Sequence, residues 1–140
     1  IELAKQIPAD GEGAKHLIEI RVQGCDTSEE ARKIANAVAD SPLVKTAITG
    51  NDPNWGRIVS AAGYAGVAFC VQSLSLKLNG ISLFQSGEPT AFDPAEASRS
   101  MRDNAEVSIE LVVGNGAGNA TVWASDLTVE YVQFNSEYTT

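Results

Sequence analysis

Ser41-Pro42-Leu43-Val44-Lys45-Thr46-Ala47-Ile48-Thr49-Gly50-Asn51-Asp52-Pro53-Asn54-Trp55-Gly56-Arg57-Ile58 is the stretch on which the reading of this 140-residue chain turns. An apolar run from Leu43 to Ile48 gives way to Gly50-Asn51-Asp52-Pro53-Asn54, five residues that favour turns. Gly permits positive φ, Asn and Asp bond their own backbone, and Pro53 fixes φ while pushing Asp52 towards an extended conformation. The pattern predicts a strand over Leu43–Ile48, a tightly specified loop, and a close-packed helix from Ile58 to Ala65 carrying the small residues Ala61, Ala62 and Gly63. Such a loop builds a site or locks an interface. Its polar groups suit backbone bonding, so a rigid corner or subunit contact is preferred to catalysis, with Asn51 and Asp52 kept as candidates for a pocket wall or an interface.

Upstream, Leu3, Ala4 and Ile7 share one side of a possible helical segment that Pro8 and the glycines of Asp10-Gly11-Glu12-Gly13 break. From Lys15 the pattern becomes period two, with Ile18, Ile20 and Val22 on one face, which predicts a strand to Gln23. Thr27 and Glu30 form a capping box, and Ala31, Ile34, Ala35 and Val38 follow at helical spacing, so a helix runs to Asp40. Pro42 then disfavours helical geometry at Ser41.

Downstream, Val67–Val71 reads as a buried strand. Leu74, Leu76 and Leu78 alternate with polar residues, and Asn79-Gly80 turns the chain into a returning strand, Ile81–Gln85. Gly87-Glu88-Pro89 reads as loop. Asp93 caps a helix with Pro94 at its first position and Glu96 at its third. Val107–Val113, Thr121–Trp123 and Leu127–Phe134 are further strands, with a break at Ser125-Asp126. The sum is a single α/β unit over residues 1–140: mixed, largely antiparallel sheets packed with helices.

Composition narrows the function. With 18 acidic against 10 basic residues, net charge −8, the chain lacks the cations that displace counterions from nucleic acid or bind anionic membranes. No apolar run reaches the roughly 20 residues that span a bilayer. The chain begins at Ile1 rather than Met, as a processed or partial polypeptide does. Cys25 and Cys70 form no metal or redox motif and read as buried free thiols of a reducing compartment. A lone histidine, His16, leaves no multi-histidine metal site, and no metal is expected.

Three glycines in Gly114-Asn115-Gly116-Ala117-Gly118 invite a phosphate-loop reading, but strands follow where a helix N-terminus is needed, and a hairpin or β-turn fits better. Asp10-Gly11-Glu12-Gly13 is either a solvated turn or a carboxylate aimed into a pocket, suited to gripping an ammonium group or handling a proton. His16, at a strand start, is read as structural. No serine or threonine has a neighbouring base or a nucleophile elbow, so the chain lacks a chemical engine of its own.

Three separated segments, taken together, resemble one family. They are Asp10-Gly11-Glu12-Gly13-Ala14, the opening stretch through Asn51-Asp52-Pro53-Asn54-Trp55-Gly56-Arg57, and Ser125-Asp126-Leu127-Thr128 through Asn135-Ser136-Glu137-Tyr138-Thr139-Thr140. In order and spacing they are similar to the carboxy-terminal part of the glutamate/ornithine N-acetyltransferases of arginine biosynthesis. That family moves an acetyl group from N2-acetylornithine to glutamate, in some members also from acetyl-CoA to glutamate. Its precursor cleaves itself before a threonine, which becomes the nucleophile of the β chain, while the α chain supplies an oxyanion hole.

The resemblance implies that these residues are the carboxy-terminal portion of the β chain, with no catalytic residue among them. The partners it implies are the α chain, further β chains and small amino-acid substrates, not nucleic acid or membrane. It implies no cofactor, acetyl-CoA being at most a donor substrate, and a cytoplasmic location. Three substrate contacts carry over onto matching positions: Glu12, Asn135 and Thr140. Two departures stand out. Lys15 occupies a position where the family usually has threonine, which bears on the loop around Glu12. Trp123-Ala124-Ser125 replaces the Trp-Gly-Cys of many relatives. Two rival readings stay open, a family-derived scaffold or binding module without chemistry, and a specialised-pathway acetyltransferase with another acceptor.

Overall fold

The computed structural model describes residues 16–126. The expected helix over Ile1–Ile7, the Asp10–Gly13 loop and the strand Leu127–Phe134 lie outside those residues. Six strands form one mixed sheet in the order β4-β3-β2-β5-β1-β6, where β1 is Leu17–Gly24, β2 Ser75–Leu78, β3 Ile81–Gln85, β4 Glu88–Pro89, β5 Glu106–Val112 and β6 Gly116–Ser125. Among the described residues only β1 and β5 run parallel and the other pairings are antiparallel, as the sequence pattern predicts for the class.

The alternation along the strands decides which face is buried. Ile18, Ile20 and Val22 of β1, Leu76 and Leu78 of β2, and Val107, Ile109 and Leu111 of β5 join one apolar core with Ile34, Ile58 and Met101 from the helices. Polar side chains occupy the intervening positions, where Arg21 lies 3.6 Å from Glu19 and 3.5 Å from Glu110. The first helix, α1 (Ser28–Ala39), starts as predicted: Thr27 Oγ1 accepts from the Glu30 amide at 3.1 Å, and Ala31, Ile34, Ala35 and Val38 are buried.

The opening stretch departs from its expectation. Residues Pro42–Thr49 form a second helix, α2, not a strand. Ser41 caps it, its Oγ accepting from the Val44 amide at 3.2 Å, and Pro42 sits at the first turn with φ already suited to a helix. Val44, Ala47 and Ile48 are the buried residues, an i, i+3, i+4 set that faces the core, while Leu43 stays 62% exposed. The Ser-Pro pair that ends α1 also begins α2. A third helix, α3 (Trp55–Gly63), follows at once, and Trp55 packs on Phe84 of β3 with ring centroids 5.4 Å apart.

Two further expectations change. Val67–Val71 is not a strand: its first part is extended without ladder partners and Val71–Ser73 is a 3-10 turn, with Val67 and Phe69 touching the core while Cys70 and Val71 are exposed. An apolar run alone does not make a strand when no neighbour takes the backbone hydrogen bonds. Asn79-Gly80 makes the predicted hairpin with φ of 51° and 80°, and Ser86-Gly87, at 51° and 81°, makes a second one that adds β4 where a loop was expected. The last helix, α4 (Pro94–Arg102), is capped by Asp93, whose Oδ1 accepts from the Ala95 amide at 3.0 Å.

The glycine run after β5 is not a hairpin either, since β5 and β6 flank β1 rather than each other. A Cβ at Gly116 would collide with the Cys25 carbonyl, and one at Gly118 with the Thr27 backbone. These glycines let β6 lie against the chain as it leaves β1, where the register shifts between Gln23 and Gly24.

Candidate functional site

The loop at the centre of the sequence reading spends its polar groups on the backbone. Asn51 adopts φ of 55°, and with it the Asp52 amide reaches the Ala47 carbonyl at 2.9 Å and the Asn51 amide the Ile48 carbonyl at 3.0 Å. That pair of bonds is a Schellman closure of α2, with asparagine in the position glycine usually takes. Asn54 begins α3, its Oδ1 accepting from the Arg57 amide at 3.1 Å while its Nδ2 donates to Asp52 Oδ2 at 3.2 Å. Arg57 Nη1 donates to the Leu43 carbonyl at 3.0 Å and ties α3 back to α2. The segment is therefore a helix-to-helix corner, closed on one side and opened on the other with no spare residue.

One atom of that corner is left over. Asn51 Oδ1 is buried and has no hydrogen-bond partner among the described residues, which is costly for an amide oxygen. Asn51 lines a cavity of about 400 Å³ with His16, Arg102, Asp103, Asn104 and Ala105. Asp52 does not share that wall; it is exposed and engaged with Asn54. Of the candidate pocket residues, the structure keeps Asn51 beside a cavity and turns Asp52 to the corner. Glu12, Asn135 and Thr140 lie outside the described residues.

The polar centre of this region was not evident in the sequence as a pair. His16 is 5% exposed and Asp126 fully buried. His16 Nδ1 lies 2.9 Å from Asp126 Oδ2, the His16 amide donates to Asp126 Oδ1 at 3.1 Å, and the Asp126 amide donates to the His16 carbonyl at 3.3 Å. On the other side of the ring, Nε2 lies 2.7 Å from the carbonyl of Met101 near the end of α4. A carbonyl only accepts, so Nε2 carries a proton. A second proton is then held between Nδ1 and the Asp126 carboxyl group. The C-terminal end of a helix, with its unpaired carbonyls, favours positive charge on the imidazole. His16 has the structural place its position suggested. The signal for Asp126 was the carboxylate interrupting two strand-like runs, which was read as a break and is a buried partner.

A second cavity, about 480 Å³, lies at the carboxyl ends of β1 and β5 and is lined in part by Cys25, Asp26, Glu30, Cys70 and Gly114. Cys25 is buried as predicted, but Cys70 is exposed because its segment does not enter the sheet. Burial, with the Glu30 and Asp26 carboxylates beside it, pushes the Cys25 thiol above its ordinary pKa. That opposes the thiolate form a nucleophile needs. Among the described residues no group of three His, Cys, Asp or Glu side chains is arranged to hold a metal, and no helix is long and apolar enough to cross a membrane.

A six-stranded mixed sheet packed with helices, with a buried His16–Asp126 couple at the β1–β6 end, defines an α/β protein class. The comparisons give it a family. Residues 1–140 match the sequence model of the ArgJ family, and the chain belongs to that family. It is 55% identical over its whole length to the arginine biosynthesis bifunctional protein ArgJ of Rhodopirellula baltica, covering 34% of that protein. The ArgJ of Gloeobacter violaceus is 49% identical over the whole chain, again with 34% of that protein covered, and the chloroplastic ArgJ of Citrullus lanatus is 51% identical over 99% of the chain and 31% of that protein. The crystal structure of ArgJ from Bacillus halodurans matches with a TM-score of 0.93 and 40% identity, over 98% of this chain and 64% of that one. The chain thus spans about a third of the length of the curated relatives it matches. The mixed α/β architecture agrees with that structural neighbour.

Proposed function

We propose that this chain is the carboxy-terminal portion of the β chain of an N-acetyltransferase of arginine biosynthesis, moving acetyl from N2-acetylornithine to glutamate. The observation that carries the reading is the family match across all 140 residues together with coverage of only a third of its relatives. In this reaction a threonine hydroxyl outside these residues attacks the acetyl carbonyl. Its proton goes to the departing ornithine amine, leaving acetyl on the threonine oxygen. The glutamate amine then takes the acetyl and a proton returns to the threonine.

The chain's own share is substrate recognition. Glu12 pairs with an ammonium group of the amino-acid substrates, and Asn135 and Thr140 offer side-chain donors and acceptors. Asn51 forms part of the wall. The α chain, further β chains and a cytoplasmic setting belong to the same proposal. Acetyl-CoA serves at most as an alternative donor, with no resident cofactor.

The test is assembly of the complete protein followed by measurement of acetyl transfer from N2-acetylornithine to glutamate. Glu12→Ala is expected to lower kcat/KM by roughly a hundredfold, the size of losing a charge-assisted contact to substrate, and Lys15→Ala far less. A complete complex with an intact threonine and no transfer refutes the activity. Equal effects of the two substitutions remove Glu12 from the site.

A further inference from the structure

We propose that the cavity of about 480 Å³ at the carboxyl ends of β1 and β5 is a binding site for a small organic cation, its charged N–H group beside Asp26 and Glu30 and its aliphatic chain against Phe69 and Val113. The inference does not depend on the acetyl-transfer reading.

The sheet makes the opening. β1 and β5 are parallel neighbours, and the chain leaves their shared end in two directions. After β1 it enters α1, whose first turn carries Glu30; after β5 it passes against Gly24 to reach β6 on the far side of β1. Ligands of open α/β sheets sit in crevices of this kind, where connections part at the carboxyl ends of parallel strands. The extended segment that holds Phe69 and Cys70 supplies a third wall. The volume falls within the roughly 300–1,000 Å³ of small-molecule pockets.

The lining selects the ligand. Asp26 and Glu30 have no cation partner among the described residues, and none of the described lining residues is Lys, Arg or His. Two uncompensated carboxylates at one concave surface attract cations and turn anions away. Among the described residues no three His, Cys, Asp or Glu side chains are arranged to hold a metal, which favours an organic cation. Val113, 5% exposed, and the partly buried Phe69 offer apolar surface to a hydrocarbon chain.

A further group points the same way. Cys25 lines the cavity at 4% exposure, and its thiol has no hydrogen-bond partner among the described residues. A thiol sulfur is a weak acceptor, suited to a cationic N–H. Burial, then the Glu30 and Asp26 charges, push this thiol above its ordinary pKa, so both carboxylates act on the sulfur. A cation bound beside them opposes that push, which makes Cys25 a reporter of occupancy.

The probe is butylguanidinium, titrated by calorimetry into the complete enzyme at low ionic strength, with butylurea as its uncharged isostere. A guanidinium stays charged through a thiol titration and meets carboxylates with paired N–H donors. Asp26 is exposed and Glu30 partly so, and water screens both. A Kd of roughly 0.1–1 mM is therefore expected, rising roughly tenfold in the Asp26→Asn/Glu30→Gln double variant. Gln at position 30 keeps the capping box of α1. The pH midpoint of Cys25 alkylation, located by peptide mapping, is expected to move to lower pH with butylguanidinium and not with butylurea. The midpoint is read rather than the rate, because occupancy also slows the reagent's access. In the double variant it is expected to start lower and to ignore the probe.

Equally tight binding in the double variant puts the probe elsewhere and overturns the proposal. So does a Cys25 midpoint in the native enzyme that stays still with butylguanidinium, or moves as far with sodium chloride of equal ionic strength, a readout that stands even if the double variant does not fold. Butylurea binding as tightly as butylguanidinium overturns the cationic assignment.

Discussion

Replacing Asn51 by glycine and by alanine separates its backbone role from its place in the cavity wall. Asn51 holds φ of 55° to close α2, and its Oδ1 is buried without a partner among the described residues. Removing an unpaired buried acceptor relieves about 1–3 kcal/mol. Alanine gives back roughly 1 kcal/mol of that through left-handed strain, whereas glycine adopts the conformation freely and costs about 0.5–1 kcal/mol in unfolded-chain entropy. The balance puts Asn51→Gly about 0–2.5 kcal/mol above the wild type and at least as stable as Asn51→Ala. In the complete enzyme that appears as a melting temperature a few degrees higher. If Asn51 Oδ1 meets substrate, kcat/KM falls in both variants while stability rises. A glycine variant less stable than wild type refutes the strain and burial argument. A stabilised variant with full kcat/KM takes Asn51 out of the binding wall.

The glycines and the cysteines give three further tests. Gly118→Ala drives a Cβ into the Thr27 backbone beside the Cys25–Gly118 bridge and is expected to destabilise by about 3 kcal/mol, while Gly63→Ala, with open space at the end of α3, stabilises by about 0.5 kcal/mol; thermal denaturation of both variants checks the contrast. Cys70 is exposed and Cys25 is buried with its pKa raised, so a thiol reagent at neutral pH is expected to label Cys70 first, read by intact mass and peptide mapping. The raised pKa also means the folded state holds the Cys25 proton more tightly than the unfolded one. Its contribution to stability is present below the unfolded thiol's pKa and is lost as pH rises through the folded one, so Cys25→Ser is expected to flatten the alkaline fall in stability. Faster labelling of Cys25 than of Cys70 refutes the burial argument.

Local chemistry wrote much of this molecule directly. The Thr27 and Asp93 caps, the Asn79-Gly80 hairpin and the alternation of β1, β2 and β5 each depend on residues a few positions apart, and the structure shows them as the sequence implied. The motifs of the Glu12 loop, the Asn51–Arg57 corner and the chain end were also enough to mark the family. Where the sequence misled, one residue served two neighbours or the partner was distant. Ser41-Pro42 stops α1 and starts α2, so a terminator hid an initiator and the i, i+3, i+4 set of Val44, Ala47 and Ile48 was read as a strand. Val67–Val71 is an apolar run read as a buried strand, but it pairs with no strand among the described residues.

Only the tertiary structure could decide the remaining points, because each depends on contacts between segments far apart in sequence. The glycines at 114, 116 and 118 gain their meaning from the backbone at Gly24, Cys25 and Thr27, which sequence spacing cannot reveal. Asp126 becomes a partner of His16 only because β6 pairs with β1 across the intervening helices and strands. The sequence by itself determined the helix caps, the strand faces and the family. The fold decided which polar residues meet, and it brought His16 and Asp126 together at the end of the β1–β6 ladder because strands far apart in sequence pair there.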